Sequence, residues 1–198
     1  MPYISRPKKI ASAVALAGAA LMAAAAPALA AGGSCETPLF TQPFASAGDT
    51  HNYVLAPGQT ADSFEAGGWT LSGGAKTQKA KLADGKSGLV LALPSGSSAV
   101  SPVFCVTDEY PTARMLVDDV TGAEGVFFNV AYEGTNTWTN PKNSGQVHGK
   151  GTQWTLSGSV NMQPENILGW QKVRLTLTPG GDNSLFEVYD LYIDPYSR

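Results

Sequence analysis

Lys172-Val173-Arg174-Leu175-Thr176-Leu177-Thr178 alternates polar and apolar residues without a fault. Successive side chains of a β-strand point to opposite faces, so this period predicts a strand with one face buried and one in water. A buried face needs a second layer to cover it, and the rest of the chain offers strands for one. Val126, Phe128, Val130 and Tyr132 form a second stripe of the same period, and Leu89, Leu91 and Leu93 a third. Further strands are expected near 51–55, 69–73, 76–82, 99–106, 112–120, 152–158 and 185–193. Turn chemistry separates them: Pro57-Gly58, Gly67-Gly68, Asp84-Gly85, Ser95-Gly96, Gly122, Glu133-Gly134, Asn143-Ser144-Gly145 and Pro179-Gly180-Gly181-Asp182. Past the first thirty residues no apolar i, i+3, i+4, i+7 pattern lasts three turns, and the short helical candidate is 163–168. Roughly eight to ten short strands at this spacing predict an all-β fold, an antiparallel β-sandwich or jelly roll.

The first thirty residues stand apart. Arg6, Lys8 and Lys9 precede an uncharged Ala/Leu-rich run from Ile10 to Ala26, and Ala28-Leu29-Ala30 closes it with small residues at −3 and −1. This predicts a secretory signal peptide cut after Ala30. A transmembrane anchor is the competing reading; against it, the run is mostly Ala, which inserts weakly, and Pro27 breaks it just before the cut site. The chain is thus expected to divide into a signal peptide, 1–30, and a single β-sandwich domain, 31–198, that is secreted, extracellular, monomeric and not inserted in a membrane after cleavage. The leader holds three of the 13 Lys and Arg and none of the 16 acidic residues, which leaves ten basic against sixteen acidic, a net charge of −6. Nucleic acid and anionic membranes are poor partners for such a chain, since both are held by Lys and Arg.

Two cysteines remain, Cys35 and Cys105. An even count in an oxidising compartment predicts one disulfide, and closing a loop of this length is worth about 4 kcal/mol on the chain-entropy model. A lipoprotein role for Cys35 is the alternative, but Gly32-Gly33-Ser34 lacks the aliphatic residue such sites carry, and lipidation would strand Cys105 as a free thiol.

Two segments resemble the galactose-binding-like jelly rolls that serve as scaffolds of many carbohydrate-binding modules. Asp62-Ser63-Phe64-Glu65 followed by Gly68-Trp69-Thr70-Leu71-Ser72-Gly73-Gly74-Ala75 looks like their opening strands, and Val188-Tyr189-Asp190-Leu191-Tyr192-Ile193-Asp194-Pro195 like their closing strand. The chain also resembles an uncharacterised family of secreted actinobacterial proteins. The resemblance is carried by Cys35, Gln42-Pro43-Phe44, Tyr53-Val54-Leu55, the Gly68–Ala75 run, the Ser97–Pro102 run, Cys105-Val106, Pro111-Thr112-Ala113-Arg114 and the terminal Asp-Pro-Tyr. That family implies a fold and export, and no activity. The jelly-roll resemblance implies that the first and last strands lie side by side, with Asp62, Glu65 and Asp190 as oxygen ligands of a structural calcium ion. Ser63 and Tyr189 depart from the usual pattern, and the other reading is that Asp62 and Asp190 serve backbone amides while Glu65 is a solvated charge.

A sugar site needs aromatic faces to stack on a pyranose and amides around them for the hydroxyls. Tyr132, Asn136, Trp138 and Asn140 supply both within nine residues, where the chain leaves a strand. Trp138 has no apolar neighbour for five residues on either side, so it is poorly placed to be core; a ring folded down over the end of the sandwich is the competing account. Trp69 and Trp154 each pair with a Leu two residues on and are expected in the core, while Trp170 shares a face with Lys172, Arg174 and Thr176. Trp-Thr-Leu-Ser-Gly occurs at 69–73 and at 154–158, but the flanks share nothing, and chance reuse of good strand residues accounts for it.

No catalytic residue is assigned. His51 and His148 lack metal-ligand spacing, there is no Gly-x-Ser-x-Gly elbow, and adjacent Asp118 and Asp119 point to opposite faces of a strand. An enzyme would require two carboxylates facing across a cleft, such as Asp108 with Glu187, or a histidine paired to an acid. The expected function is non-catalytic binding of a carbohydrate or cell-envelope polymer. The alternative is a structural or adhesive envelope protein with protein partners and no sugar ligand.

Overall fold

Alternation of polar and apolar residues does become strands. The computed structural model describes residue 35 and residues 39–107, 112–134, 137–162 and 171–194. The leader, Asp108, Asn136, the 163–168 candidate helix, Trp170 and Pro195-Tyr196 lie outside the described residues. In chain order the strands are β1 (Val54–Leu55), β2 (Thr70–Ser72), β3 (Lys76–Lys81), β4 (Ser87–Pro94), β5 (Ser98–Val100), β6 (Phe104–Val106), β7 (Thr112–Thr121), β8 (Val126–Tyr132), β9 (Lys142–Val147), β10 (Thr155–Leu156), β11 (Val160–Asn161), β12 (Gln171–Pro179) and β13 (Leu185–Asp194). They form two antiparallel sheets. The first runs β10-β7-β13-β4-β3, with β1 on β13 and β11 on β7; the second runs β2-β5-β12-β8-β9, with β6 on β12. The protein is an antiparallel β-sandwich.

One core joins the layers. Val173, Leu175 and Leu177 of β12 and Val126, Phe128 and Val130 of β8 face Met115, Val117, Phe186 and Val188 of the first sheet in a single buried cluster. Trp69 lies in it as expected: its ring meets Phe64 edge-on at 5.0 Å, and its Nε1 donates to the Pro57 carbonyl at 2.8 Å. Gly58 makes that approach possible. Its φ is +80°, and a Cβ there would sit 2.3 Å from the Gly67 carbonyl and 2.7 Å from the Trp69 ring.

Four details differ from the sequence reading. The expected strand at 99–106 is two strands, β5 and β6, both paired to β12. Asn143-Ser144-Gly145 is not a turn: it lies within β9, which draws its pairing from β8 although it has no apolar alternation of its own. The Leu89 to Leu93 run is buried on both sides, Val90 and Ala92 being 0% exposed like Leu91 and Leu93. Trp154 does not enter between the sheets beside Leu156: its ring stands edge-on at 4.6 Å to Tyr189, with Nε1 donating to the Lys81 carbonyl at 2.7 Å.

A separate aromatic cover lies over part of the outer face of the first sheet. Phe44, Tyr53 and Tyr192 pack edge to face, with ring centroids 5.1 and 5.4 Å from Phe44, and Leu55, Leu116 and Leu156 lie against them. Cys35 is disulfide-bonded to Cys105 with their Cα atoms 5.9 Å apart, so the lead-in to this cover is tied to β6 of the second sheet. Among the described residues no helix is long and apolar enough to cross a membrane.

Candidate functional site

Among the described residues, the outer face of the second sheet carries no such aromatic cluster. Cα pairing sets Thr70, Val100, Thr176, Asn129 and Asn143 in one row across five strands. Each is half-buried or exposed, whereas the intervening residues of β12 and β8 are buried. Beside this row Arg174 pairs with Ala131, whose small side chain leaves the sheet surface low between them. The row is therefore a floor of hydroxyls and amides with one valine in it, and Phe127 and Ala131 lie on the same face of β8 to either side of Asn129.

Trp138 stands at the rim of this floor. Past β8 the chain doubles back, with Glu133 bridged to Trp138, Gly134 N–H donating to Thr137 O at 2.8 Å and Thr139 N–H to Tyr132 O at 2.9 Å. The Thr139 hydroxyl accepts from the Tyr132 amide at 2.9 Å, which stiffens the return. Glu133 N–H donates to Lys172 O at 2.9 Å, so the doubled-back segment is docked on β12. Its Oε2 lies 3.6 Å from Lys172 Nζ. The Arg174 guanidinium carbon lies 4.5 Å from the centroid of the Trp138 ring, a cation–aromatic contact that fixes both groups.

Of the four predicted sugar contacts, Trp138 is half-buried on this face and Asn140 is exposed two residues beyond it. Tyr132 is a correction: at 5% exposure its ring belongs to the core cluster, because strand parity puts it on the buried stripe of β8. Arg174 was missed as a site residue. Its signal was present in the alternation, as a cation on the polar face of the central strand, but its contact with Trp138 joins residues remote in sequence.

No protein-family model and no curated protein matches the chain. Solved structures resemble it loosely. They include a xylan-binding domain of carbohydrate-binding module family 22 (TM-score 0.42, 14% identity, 67% of this chain and 90% of that one). A family 11 module from Clostridium thermocellum in complex with a mixed-linked β-1,3-1,4 tetrasaccharide aligns at TM-score 0.36 and 11% identity, over 64% of this chain and 88% of that one. TmCBM61 in complex with β-1,4-galactotriose aligns at 0.34 and 17%, over 63% and 86%. At these scores the functional reading stands on the chain's own residues.

The calcium set does not assemble. Asp62 N–H donates to Asp190 Oδ1 at 3.1 Å, so the opening and closing segments do meet across the sequence. Glu65 is exposed, and the Thr60 hydroxyl reaches it at 3.4 Å. Among the described residues no three His, Cys, Asp or Glu side chains could share a metal ion. Asp190 instead sits in an irregularity of β13 at φ +51°, where register shifts between Tyr189 and Tyr192. There the Gln59 amide takes the place of a strand, donating to Leu191 O at 3.2 Å and accepting from Leu191 N–H at 3.1 Å. Burial pushes the Asp190 carboxyl up to about 6, with Asp62 and Asp84 adding repulsion, despite the bond from the Asp62 amide.

Both enzyme-like arrangements occur in part. His51 Nδ1 lies 2.7 Å from Asp49 Oδ1, but that carboxylate also takes a hydrogen bond from Tyr53 and one from Arg114 at 3.0 Å. Burial alone would raise its pKa; the bonds from Tyr53 and His51 and the Arg114 charge outweigh it and hold Asp49 below the usual range. Asp49 thereby anchors the cover to β7, and no hydroxyl or thiol of the described residues is hydrogen-bonded to His51. Asp118 pairs directly with Glu187 across β7 and β13, and Gln78 Nε2 donates to Glu187 at 2.5 Å. Burial first, then the Glu187 and Asp119 charges, raise the Asp118 carboxyl.

Proposed function

We propose that this protein is an exported, non-catalytic binding module for a glycan or cell-envelope polymer, which lies along the outer face of the second sheet. The observation that carries this reading is the Trp138 ring held beside a floor of Thr70, Thr176, Asn129 and Asn143, each exposed or half-buried among the described residues. An aromatic ring supplies area for the apolar side of a pyranose, and hydroxyls and amides on a rigid sheet match its hydroxyls with little entropy to lose. Asn140, exposed two residues past Trp138, and Asn136, two residues before it in sequence, are the further contacts of this reading. Screening the folded protein against an array of cell-wall and plant polysaccharides tests the reading. Binding that is lost in Trp138→Ala, with folding intact, supports it; silence across the array from a folded protein overturns it in favour of a structural or adhesive role.

A further inference from the structure

We infer that the polymer bound at this face is acidic, recognised through a sugar carboxylate that Arg174 grips. The inference rests on the glycan-binding reading above and goes on to name the class of glycan. Arg174 is exposed, its side chain makes no hydrogen bond or ion pair among the described residues, and its guanidinium lies 4.5 Å from the centroid of the Trp138 ring. A guanidinium is always charged, and one lying over an aromatic ring keeps its N–H edge free in a plane that matches a carboxylate's two oxygens. The ring holds that fork in place before any ligand arrives. Nearby Lys172 is balanced by Glu133 at 3.6 Å, whereas Arg174 has no ion-pair partner among the described residues.

This local charge opposes that of the whole. The chain beyond the leader has ten basic against sixteen acidic residues, so it repels polyanions in general while one fork on this face invites a single planar anion. That combination favours a carboxylate attached to a pyranose, as in uronic-acid polysaccharides, over a phosphodiester polymer, whose closely spaced charges need several cations. Thr176 and Asn129, next along the sheet from Arg174 and Ala131, are placed to take hydroxyls of the same or an adjoining sugar.

The test is affinity electrophoresis of the full chain in gels cast with alginate, hyaluronan or polygalacturonate, each beside its carboxyl-reduced counterpart, with teichoic acid as a phosphodiester probe. The expected result is at least about tenfold tighter binding to one uronate polymer than to its neutral form, the size of one charge-assisted bidentate contact. Arg174→Gln should bring that ratio to about one; because it also releases the Trp138 ring, the readout is the ratio of charged to neutral binding and not the affinity for either alone. Trp138→Ala should weaken both forms. Equal binding of charged and reduced polymers, a preference that survives Arg174→Gln, or tighter binding of teichoic acid would overturn the inference alone. Failure to bind any glycan, charged or neutral, would overturn the glycan-binding reading as well.

Discussion

The two sheets of this sandwich are built from the same kind of strand, yet their outer faces have opposite fates. Over the first sheet, Phe44, Tyr53 and Tyr192 close one patch, Trp154 lies on Tyr189, and even the alternate residues Val90 and Ala92 of β4 are fully buried. Over the second, Thr176, Asn129 and Arg174 remain accessible, with Trp138 fixed at their edge. The difference lies in the strands. Leu89-Val90-Leu91-Ala92-Leu93 is apolar throughout and must be covered twice, whereas Lys172–Thr178 alternates and needs covering once. A covered face and an open one can therefore be told apart here by how strictly each central strand alternates.

Stripping the cover should have the largest effect. Tyr53 is fully buried, and Tyr53→Ala should cost about 3–5 kcal/mol, the usual range for deleting a buried aromatic ring. Urea denaturation would measure it, and the fraction that remains folded should bind its ligand unchanged. Opening the Cys35–Cys105 disulfide, by reductant or by replacing both cysteines with Ser, should cost about 2–4 kcal/mol, again without a direct effect on the open face.

A smaller effect, of opposite sign, is expected at Asp190, which is 6% exposed. Its carboxyl is raised to about 6, chiefly by burial, so the native state holds a proton that the unfolded chain, with a pKa near 3.9, has already lost. Stability from this group is greatest below about pH 4 and declines as pH rises through about 6. Asp190→Asn keeps an oxygen for the Asp62 amide, tolerates the positive φ and removes the charge. It should raise stability at pH 7 by on the order of 1–2 kcal/mol and flatten the profile between pH 4 and 6. Urea midpoints at both ends of that window check it; an unchanged slope would trace the pH dependence to other groups.

What the sequence made legible follows the same division. β7, β8, β12 and β13 announce themselves because a face buried between sheets forces period two on them. β9 does not, because Lys142–Val147 is an edge strand in which only Val147 is buried, so hydrogen bonding to β8 decides its state. The candidate site was legible in its aromatic residue and not in its partner. Trp138 betrays itself by the absence of apolar neighbours, while Arg174 meets it only because β12 and β8 are adjacent in the sheet. Tyr132 was misplaced by its neighbourhood in the loop, although the stripe that it ends had already put it inside. The carboxylates Asp62 and Asp190 were rightly brought together, but the bulge at Asp190 turns its side chain to a backbone amide.

The most direct measurement compares the two half-buried tryptophans on the two outer faces, Trp138 and Trp154, by urea denaturation and by binding to the best polysaccharide of the array. The account predicts that Trp138→Ala loses at least about tenfold in affinity and less than about 1 kcal/mol in stability, as expected for a partly exposed ring at a binding surface. Trp154→Ala, which removes the packing on Tyr189 and the bond to Lys81 O, should lose about 2–4 kcal/mol of stability and keep its affinity. Affinity lost in Trp154→Ala and retained in Trp138→Ala would contradict the account and put the binding surface on the first sheet.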